Sequence, residues 1–565
     1  MASAEAHIQQ STAIADQRKN PSPTLHNITT LRPLPRPLGL DSRQVTTPIQ
    51  LEKLKHFIAG QADKKFIITG FQVGFRLGYI GPRQASRCTN LKSCLESPDI
   101  VASKLTKEIN ASRIKGPFAQ PPFPNLKVSP IGVVPKKTPG QFRLIHHLSH
   151  PSGDSVNDFI DPALSTVRYA SFDDAVALLL RVGCSSLLAK TDIDNAFRLI
   201  PIHPDDHALL GMTFRDQFYY DTCLPMGASS SCAIFEKFSS SLEWIANSHL
   251  NIPYIVHILD DFLIIGPPNS SQCFDNLKMF LAFCKYVGIP IKEEKTVYPC
   301  KIITFMGLEL DSVSMEARLP PDKLEKLLNL LEHNKRKRKI KLRELQSLLG
   351  LLNFCCQVVV PGRSFMRRLT DLTCKVTNPN HHITLNRESR KDLNAWCVFV
   401  QHFNGRQLLL ERRWITSDML HLHTDSSGAI GFAAVFGSKW FNGKWSAQLL
   451  PLHITFKELF PIVIALELWG VWFRDNCLTI HSDNSAVVHI INKQSSKEPM
   501  VMTLVRRLVL VCMSKNILVR AKHIPGKLNI LPDLLSRFQM EQFHLHAPQM
   551  DPEPTEVPEE LIQLS

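Results

Sequence analysis

Two adjacent carboxylates lie inside an apolar run: Asp260-Asp261 follows Ile255-Val256-His257-Ile258-Leu259 and precedes Phe262-Leu263-Ile264-Ile265. Two short apolar strands flanking one polar pair read as a β-hairpin with the acids at its tip. Carrying carboxylates into such surroundings is costly unless a cation or hydrogen-bond donors receive them. Any fold open to this chain must therefore bring a cation or hydrogen-bond donors to that tip. Asp192 repeats the pattern, closing the strand Leu187–Thr191 ahead of Ile193-Asp194-Asn195-Ala196-Phe197. Strand-end carboxylates that converge would hold a hard, oxygen-liking cation such as Mg2+, whereas an isolated Asp-Asp would be a plain turn. Two further pairs have bland surroundings. Asp173-Asp174 follows Ser171 at a helix start, and Asp205-Asp206 follows Pro204 in a turn; both are expected at the surface.

A second set of acids lies toward the C-terminus. Three strands are expected at Leu420–Thr424, Ile430–Phe436 and Lys439–Ser446, then a helix over Thr455–Phe473, a strand over Cys477–Ser482 and a final strand over Ile517–Ile524. Asp425 follows the first strand, Glu458 lies in the first turn of the helix, Asp483 follows Cys477–Ser482, and Asp533 opens a helix within Asn529–Arg537. Singly, each has a structural explanation. Thr455-x-x-Glu458 forms a capping box, and Asp483 and Asp533 suit helix starts.

Length and charge bound the rest. At about 100–200 residues per domain, a chain of 565 residues holds several domains. With 65 Lys and Arg against 51 Asp and Glu, its net charge of +14 points to nucleic acid before membrane. The apolar runs are too short to span a bilayer, the N-terminus reads as lacking a signal peptide, and the fourteen Cys show no paired Cys-x2-Cys spacing. A reducing compartment, cytoplasmic and/or nuclear, is expected, with no zinc site.

The first acidic region resembles a reverse transcriptase palm. Lys190-Thr191-Asp192 corresponds to the family's first acidic motif, and Ile258-Leu259-Asp260-Asp261 stands in the place of Tyr-x-Asp-Asp, with Ile258 departing from the usual Tyr. The resemblance implies two Mg2+ ions per active site, with Mn2+ as an alternative, held by Asp192, Asp260 and Asp261 for phosphoryl transfer. It further implies that Phe197, otherwise core packing, blocks a 2′-hydroxyl. Met226 and Gly227, in Leu224-Pro225-Met226-Gly227, would shape the nucleotide pocket. Lys136, Lys137 and Arg143 would clamp the incoming triphosphate, and Lys295 would protonate pyrophosphate. Phe305-Met306-Gly307-Leu308-Glu309-Leu310 resembles the primer-gripping hairpin.

The second region resembles RNase H. There Asp425, Glu458, Asp483 and Asp533 would hold two metal ions, and His523 would be a mobile active-site residue, its plain alternative being a strand-end surface histidine. His523-Ile524-Pro525-Gly526-Lys527 and the Asn529–Arg537 segment most resemble the RNases H of long-terminal-repeat and DIRS-type retroelements, and Val360-Pro361-Gly362-Arg363-Ser364-Phe365 and Ser129-Pro130-Ile131-Gly132-Val133-Val134 resemble the DIRS-type group in particular.

The expected fold is α/β (α+β), a right-hand polymerase followed by an RNase H-like mixed-sheet domain. The expected segments are a disordered Pro/Ser/Thr-rich arm (1–48), a helical extension (49–114), fingers and palm (115–315), thumb and connection (316–415), an RNase H-like domain (416–540) and an acidic disordered tail (541–565). The basic run Lys335–Lys341 would track hybrid phosphates, or serve nuclear import, or form a solvated face. Expected partners are an RNA template, a DNA primer, the RNA–DNA hybrid, deoxynucleoside triphosphates and a separately encoded integrating enzyme, with no membrane. The rival readings are a catalytically decayed nucleic-acid-binding remnant and a protein-interaction scaffold.

Overall fold

The computed structural model describes residues 45–562 except 137–138, 375, 403, 405, 408–413, 475, 516 and 527–528. Lys137 and nearly all of the expected arm lie outside the described residues. The chain divides into two compact units that cut across the expected segments. The first takes the chain up to Ala170 with Lys190–Ile264 and Asp275–Val297; the second takes Ser171–Ala189, Ile265–Phe274 and the chain from Tyr298 onward.

In the first unit, short helices at Leu51–Phe57, Lys64–Val73 and Lys92–Glu96 lead to α1 (Pro98–Asn110). Helix α1 buries Val101 and Leu105 against Ile131 and Val133. Those two residues belong to an antiparallel hairpin, β1 (Ile131–Pro135) and β2 (Phe142–His146), in which Val134 faces Arg143. Strand β3 (Leu187–Asp192) lies in one sheet with β4 (Ile255–Ile258) and β5 (Asp261–Gly266), in the order β4-β5-β3. Helix α2 (Ser231–Ser248) buries Phe235, Phe238, Leu242 and Ile245, the 3-4 spacing of one helical face.

One surface assignment in this unit is corrected. Asp205 is exposed, but Asp206 is wholly buried. Its carboxylate accepts from Arg76 Nε (3.0 Å) and Nη2 (3.1 Å), from Arg83 Nη2 (2.6 Å) and from the Leu77 backbone N–H (2.9 Å). Burial alone would raise its pKa, yet the two guanidinium groups hold it below the ordinary value. The donors come from residues about 130 positions earlier in the chain, so local sequence carries no sign of them.

In the second unit, the strands Ile302–Phe305 and Leu308–Asp311 form the hairpin expected around Met306-Gly307, both of which take positive φ (50° and 80°), as a two-residue I′ turn requires. The basic run is not one helical face: it crosses from the end of helix Pro321–Lys335 into strand Lys339–Lys341, and Lys335 and Lys337 pair with Glu332 and Glu344. Further along, β6 (Leu422–Ser426), β7 (Gly431–Phe436) and β8 (Lys439–Lys444) form an antiparallel meander. Helix α3 (Ile454–Trp469) packs Phe456, Phe460, Val463 and Trp469 into the core with Phe432 and Phe441. Then β9 (Cys477–Ser482) and β10 (Leu518–His523) run parallel, and α4 (Ile530–Ser536) follows.

The expectation of a disordered tail over 541–565 is overturned for its described part. A helix at Met540–His546 seats Phe543, and the chain beyond it seats Ala547 and Met550, against Ala433, Val435 and Trp440. Trp440 Nε1 donates to the Asp551 carbonyl at 2.7 Å, and the Thr555 N–H donates to the Trp440 carbonyl at 2.7 Å. Farther along, Val557, Leu561 and Ile562 pack against the core that holds Phe432 and Phe441, and Arg507 Nη2 donates to the Leu561 carbonyl at 2.8 Å, so scattered apolar side chains anchor the segment despite its acidic composition. Among the described residues, no helix is long and apolar enough to cross a membrane, and all fourteen cysteines are free thiols.

Candidate functional sites

The first site grows from a two-residue turn. Ile258 faces Asp261 across the β4-β5 ladder, leaving Leu259 and Asp260 as the turn residues. Leu259 has φ +51°, an uncommon conformation for a bulky side chain. It is held by Glu236 of α2, whose carboxylate accepts the Leu259 N–H at 3.1 Å. His257, on β4, stands between Glu236 (3.4 Å) and Glu243, to which its Nδ1 hydrogen-bonds. Burial pulls the His257 pKa down, but the two glutamates outweigh it and raise it to about 9. None of this support was expected from sequence. Its one signal is that Glu236 and Glu243 fall seven residues apart, on one face of an apolar helix.

The Ile193 N–H donates to the Asp260 carbonyl at 3.0 Å, which brings the end of β3, and Asp192 with it, beside the turn. Lys295 Nζ reaches Asp192 at 2.5 Å, and Lys190 Nζ stands 3.9 Å from Asp261. Burial, then the nearby Asp192, raises the Asp260 pKa. Asp261 rises to about 6, chiefly by burial, with Lys190 opposing. Partly buried, mutually repelling carboxylates of this kind fit the donor chemistry of a hard divalent cation.

Phe197 is half-buried and stacks on the wholly buried Phe235, with centroids 5.1 Å apart and planes at 28°. Met226 is exposed. Gly227 has no room for a side chain, since a Cβ there would sit 2.3 Å from the His146 carbonyl. Lys136 and Arg143 are exposed on the β1-β2 hairpin. Partial burial, then the surrounding cations Lys104, Lys292, Arg143 and Lys107, lower the Lys136 pKa. That crowding of positive charge suits a polyanionic ligand.

The second site lies wholly in the second unit. Asp425, on β6, meets Glu458 of α3 and Asp483 at the end of β9, with one carboxylate oxygen from each within 4.8 Å of the others. Among the described residues, only this group gathers three such ligands so closely. Burial, then Asp425 and Asp483, push Glu458 up to about 8, and burial foremost raises Asp425 to about 6. Three acids this close repel one another strongly unless a cation is shared. The helix cap is not where the sequence suggested. His453 is the N-cap, its side chain accepting from the Thr455 N–H, and Thr455 is a helical residue. Glu458 therefore falls beyond the first turn, and no capping box accounts for it.

Asp533 stands apart from the trio, paired with Arg537 at 2.8 Å, though its charge contributes to raising Asp425. His523 faces Ser482 in the β9-β10 register, and its Nε2 lies 2.9 Å from the Asp483 carbonyl. Gly526 passes so close that a Cβ would sit 2.9 Å from Asp483 Oδ2. Two residues not singled out from sequence hold Asp425. Ser536 Oγ donates to it at 2.8 Å, and Asn529 Nδ2 contacts it at 3.4 Å while donating to the Thr424 carbonyl at 2.8 Å.

Residues 134–310 match the family described as "Reverse transcriptase (RNA-dependent DNA polymerase)". The chain is 25% identical over 273 residues to the Gag-Pro-Pol polyprotein of Simian retrovirus SRV-1, covering 46% of this chain and 14% of that protein. It is 23% identical over 434 residues to the Transposon Tf2-3 polyprotein of Schizosaccharomyces pombe, covering 73% of this chain and 29% of that one. The chain thus spans less than a third of the length of these relatives. A solved structure of the foamy viral protease-reverse transcriptase in complex with RNA/DNA hybrid is similar at 16% identity and a TM-score of 0.49, covering 93% of this chain and 67% of that chain. A solved structure of the foamy viral protease-reverse transcriptase dRH in complex with ds DNA is similar at 17% identity and a TM-score of 0.49, covering 86% of this chain and 84% of that chain.

Proposed function

We propose that this chain, which carries a reverse transcriptase domain, is the RNA-directed DNA polymerase of a retrotransposon with an attached RNase H. The carrying observation is that each unit holds its own set of converging carboxylates: Asp192, Asp260 and Asp261 in the first, and Asp425, Glu458 and Asp483 in the second. Asp533 joins the second set through its charge on Asp425. These residues would hold Mg2+, which when bound activates an attacking oxygen and steadies the leaving one. In the polymerase site, Lys136 and Arg143 attract the triphosphate of the incoming deoxynucleotide. Phe197 and the Met226-Gly227 loop form the walls of its pocket. Lys295, whose ammonium touches Asp192, is the donor for the departing pyrophosphate. In the nuclease site, His523 beside Asp483 assists release of the cut RNA strand.

The templates and products follow from this reading: an RNA template, a DNA primer and the hybrid they become. Val360–Phe365 and Ser129–Val134 favour a DIRS-type element, while the Asn529–Arg537 segment fits long-terminal-repeat and DIRS-type elements alike. A separately encoded integrating enzyme and a cytoplasmic and/or nuclear site of action belong to the same proposal. The test is primer extension on an RNA template with Mg2+ and deoxynucleotides, followed by cleavage of a hybrid labelled in its RNA strand. Both activities are expected, and both should vanish with chelator. A folded protein that performs neither is a decayed remnant.

A further inference from the structure

Between the two walls of the nucleotide pocket runs a buried polar chain that no motif marks. Arg198 follows Phe197 directly, and its side chain is only 12% exposed. Its Nη2 donates to Asp221 at 2.5 Å and its Nε to Glu108 at 3.1 Å. Its Nη1 reaches the carbonyls of Cys223 (3.3 Å) and Leu224 (3.5 Å), which lead into Met226-Gly227. The other oxygen of Asp221 meets His146 Nδ1 at 3.2 Å, and the carbonyl of that same His146 is the atom that leaves Gly227 no room for a Cβ. Glu108 is itself gripped by Arg113 through two hydrogen bonds of 3.0 and 2.9 Å.

We infer that Arg198 is a positioning residue that sets the gap between the Phe197 ring and the Leu224–Gly227 loop, and with it the choice between deoxyribose and ribose. This rests on the polymerase reading and on Phe197 as the wall beside the 2′ position. A guanidinium is suited to the task because its five donors lie in one rigid plane, so several acceptors can be held at fixed angles. A lysine keeps the charge but offers a single flexible point. Since a hydroxyl adds little more than one atom, a small outward drift of either wall is enough to admit it.

The experiment measures kcat/KM for single deoxynucleotide and ribonucleotide additions to a primed RNA template by the full chain. The quantity read is their ratio, which does not depend on the folded fraction of a preparation. Arg198→Lys should lower the wild-type ratio by about 10- to 100-fold, the scale of loss when a reacting group is misplaced by about 1 Å. Asp221→Asn, close to isosteric, should lower it in the same direction, and it carries the test if Arg198→Lys fails to fold. Phe197→Ala marks the value for a missing wall. If both variants keep the wild-type ratio while Phe197→Ala loses it, Arg198 is merely structural and the inference is overturned. If Phe197→Ala also keeps the ratio, the gate assignment fails and takes the inference with it. A wild-type chain that does not extend primers overturns the polymerase reading itself.

Discussion

Glu458 carries a folding cost at neutral pH. Burial foremost, then Asp425 and Asp483, raise it to about 8, far above the ordinary 4.5. A carboxyl whose pKa is raised on folding binds more protons folded than unfolded, so its contribution to stability falls as pH climbs from about 4.5 toward 8. Glu458→Gln should therefore keep or raise the melting temperature in chelator at pH 7 while abolishing hybrid cleavage. A variant that melts earlier yet still cleaves would return Glu458 to a structural role. His257 shows the opposite sign. Held at about 9 by Glu236 and Glu243 against burial, it contributes stability that is complete below about 6.5 and lost as pH rises through 9. Denaturant unfolding between pH 6 and 10 should show that loss, and His257→Gln should flatten it. The acids of the first site stood out in the sequence because a carboxylate within an apolar run is a chemical anomaly, whereas those of the second each had a plain capping explanation and stood out only by their order along the chain and the resemblance to RNase H. Glu236, Arg198 and Ser536 did not stand out: their partners lie 23, 23 and 111 residues away, and each alone resembles an ordinary polar residue.

Elements were most legible where period and turn chemistry agree. Strand Cys477–Ser482 was expected and observed with the same ends, and Met306-Gly307 turned the hairpin predicted around it. Legibility failed where tertiary contacts decide. Thr455 has the residue type of a cap, but Ile454 is already helical, so His453 caps instead. The acidic composition beyond residue 540 suggests disorder, yet Phe543 is wholly buried in that segment while Leu545 is 79% exposed. Phe543→Ala should cost roughly 3–5 kcal/mol, the usual range for emptying a buried aromatic site, and lower the melting temperature; Leu545→Ala should change neither. Equal, negligible effects would restore the disordered tail.

At the scale of the whole chain, the net charge of +14 suits a polyanionic partner, and the proposed chemistry is divided between two carboxylate sets on separate compact units. No carboxylate is shared: Asp192, Asp260 and Asp261 belong to the first unit, and Asp425, Glu458, Asp483 and Asp533 to the second. The acids that act most on Asp261 are Asp192 and Asp260, and those that act most on Asp425 are Asp533 and Asp483, each from the same set. Neutralising one set should thus leave the other's affinity for Mg2+ and its proton balance unchanged. Asp260→Asn should abolish primer extension with hybrid cleavage near wild type, and Asp425→Asn should do the reverse. Both measurements belong on the same preparations, with extension on an RNA template and cleavage of a preformed hybrid, so that neither activity supplies the other's substrate. The informative failure is asymmetric. Loss of both activities in Asp260→Asn, with the protein still folded, would mean that cleavage depends on the polymerase carboxylates, and the second set would then be a structural cluster rather than an independent active site.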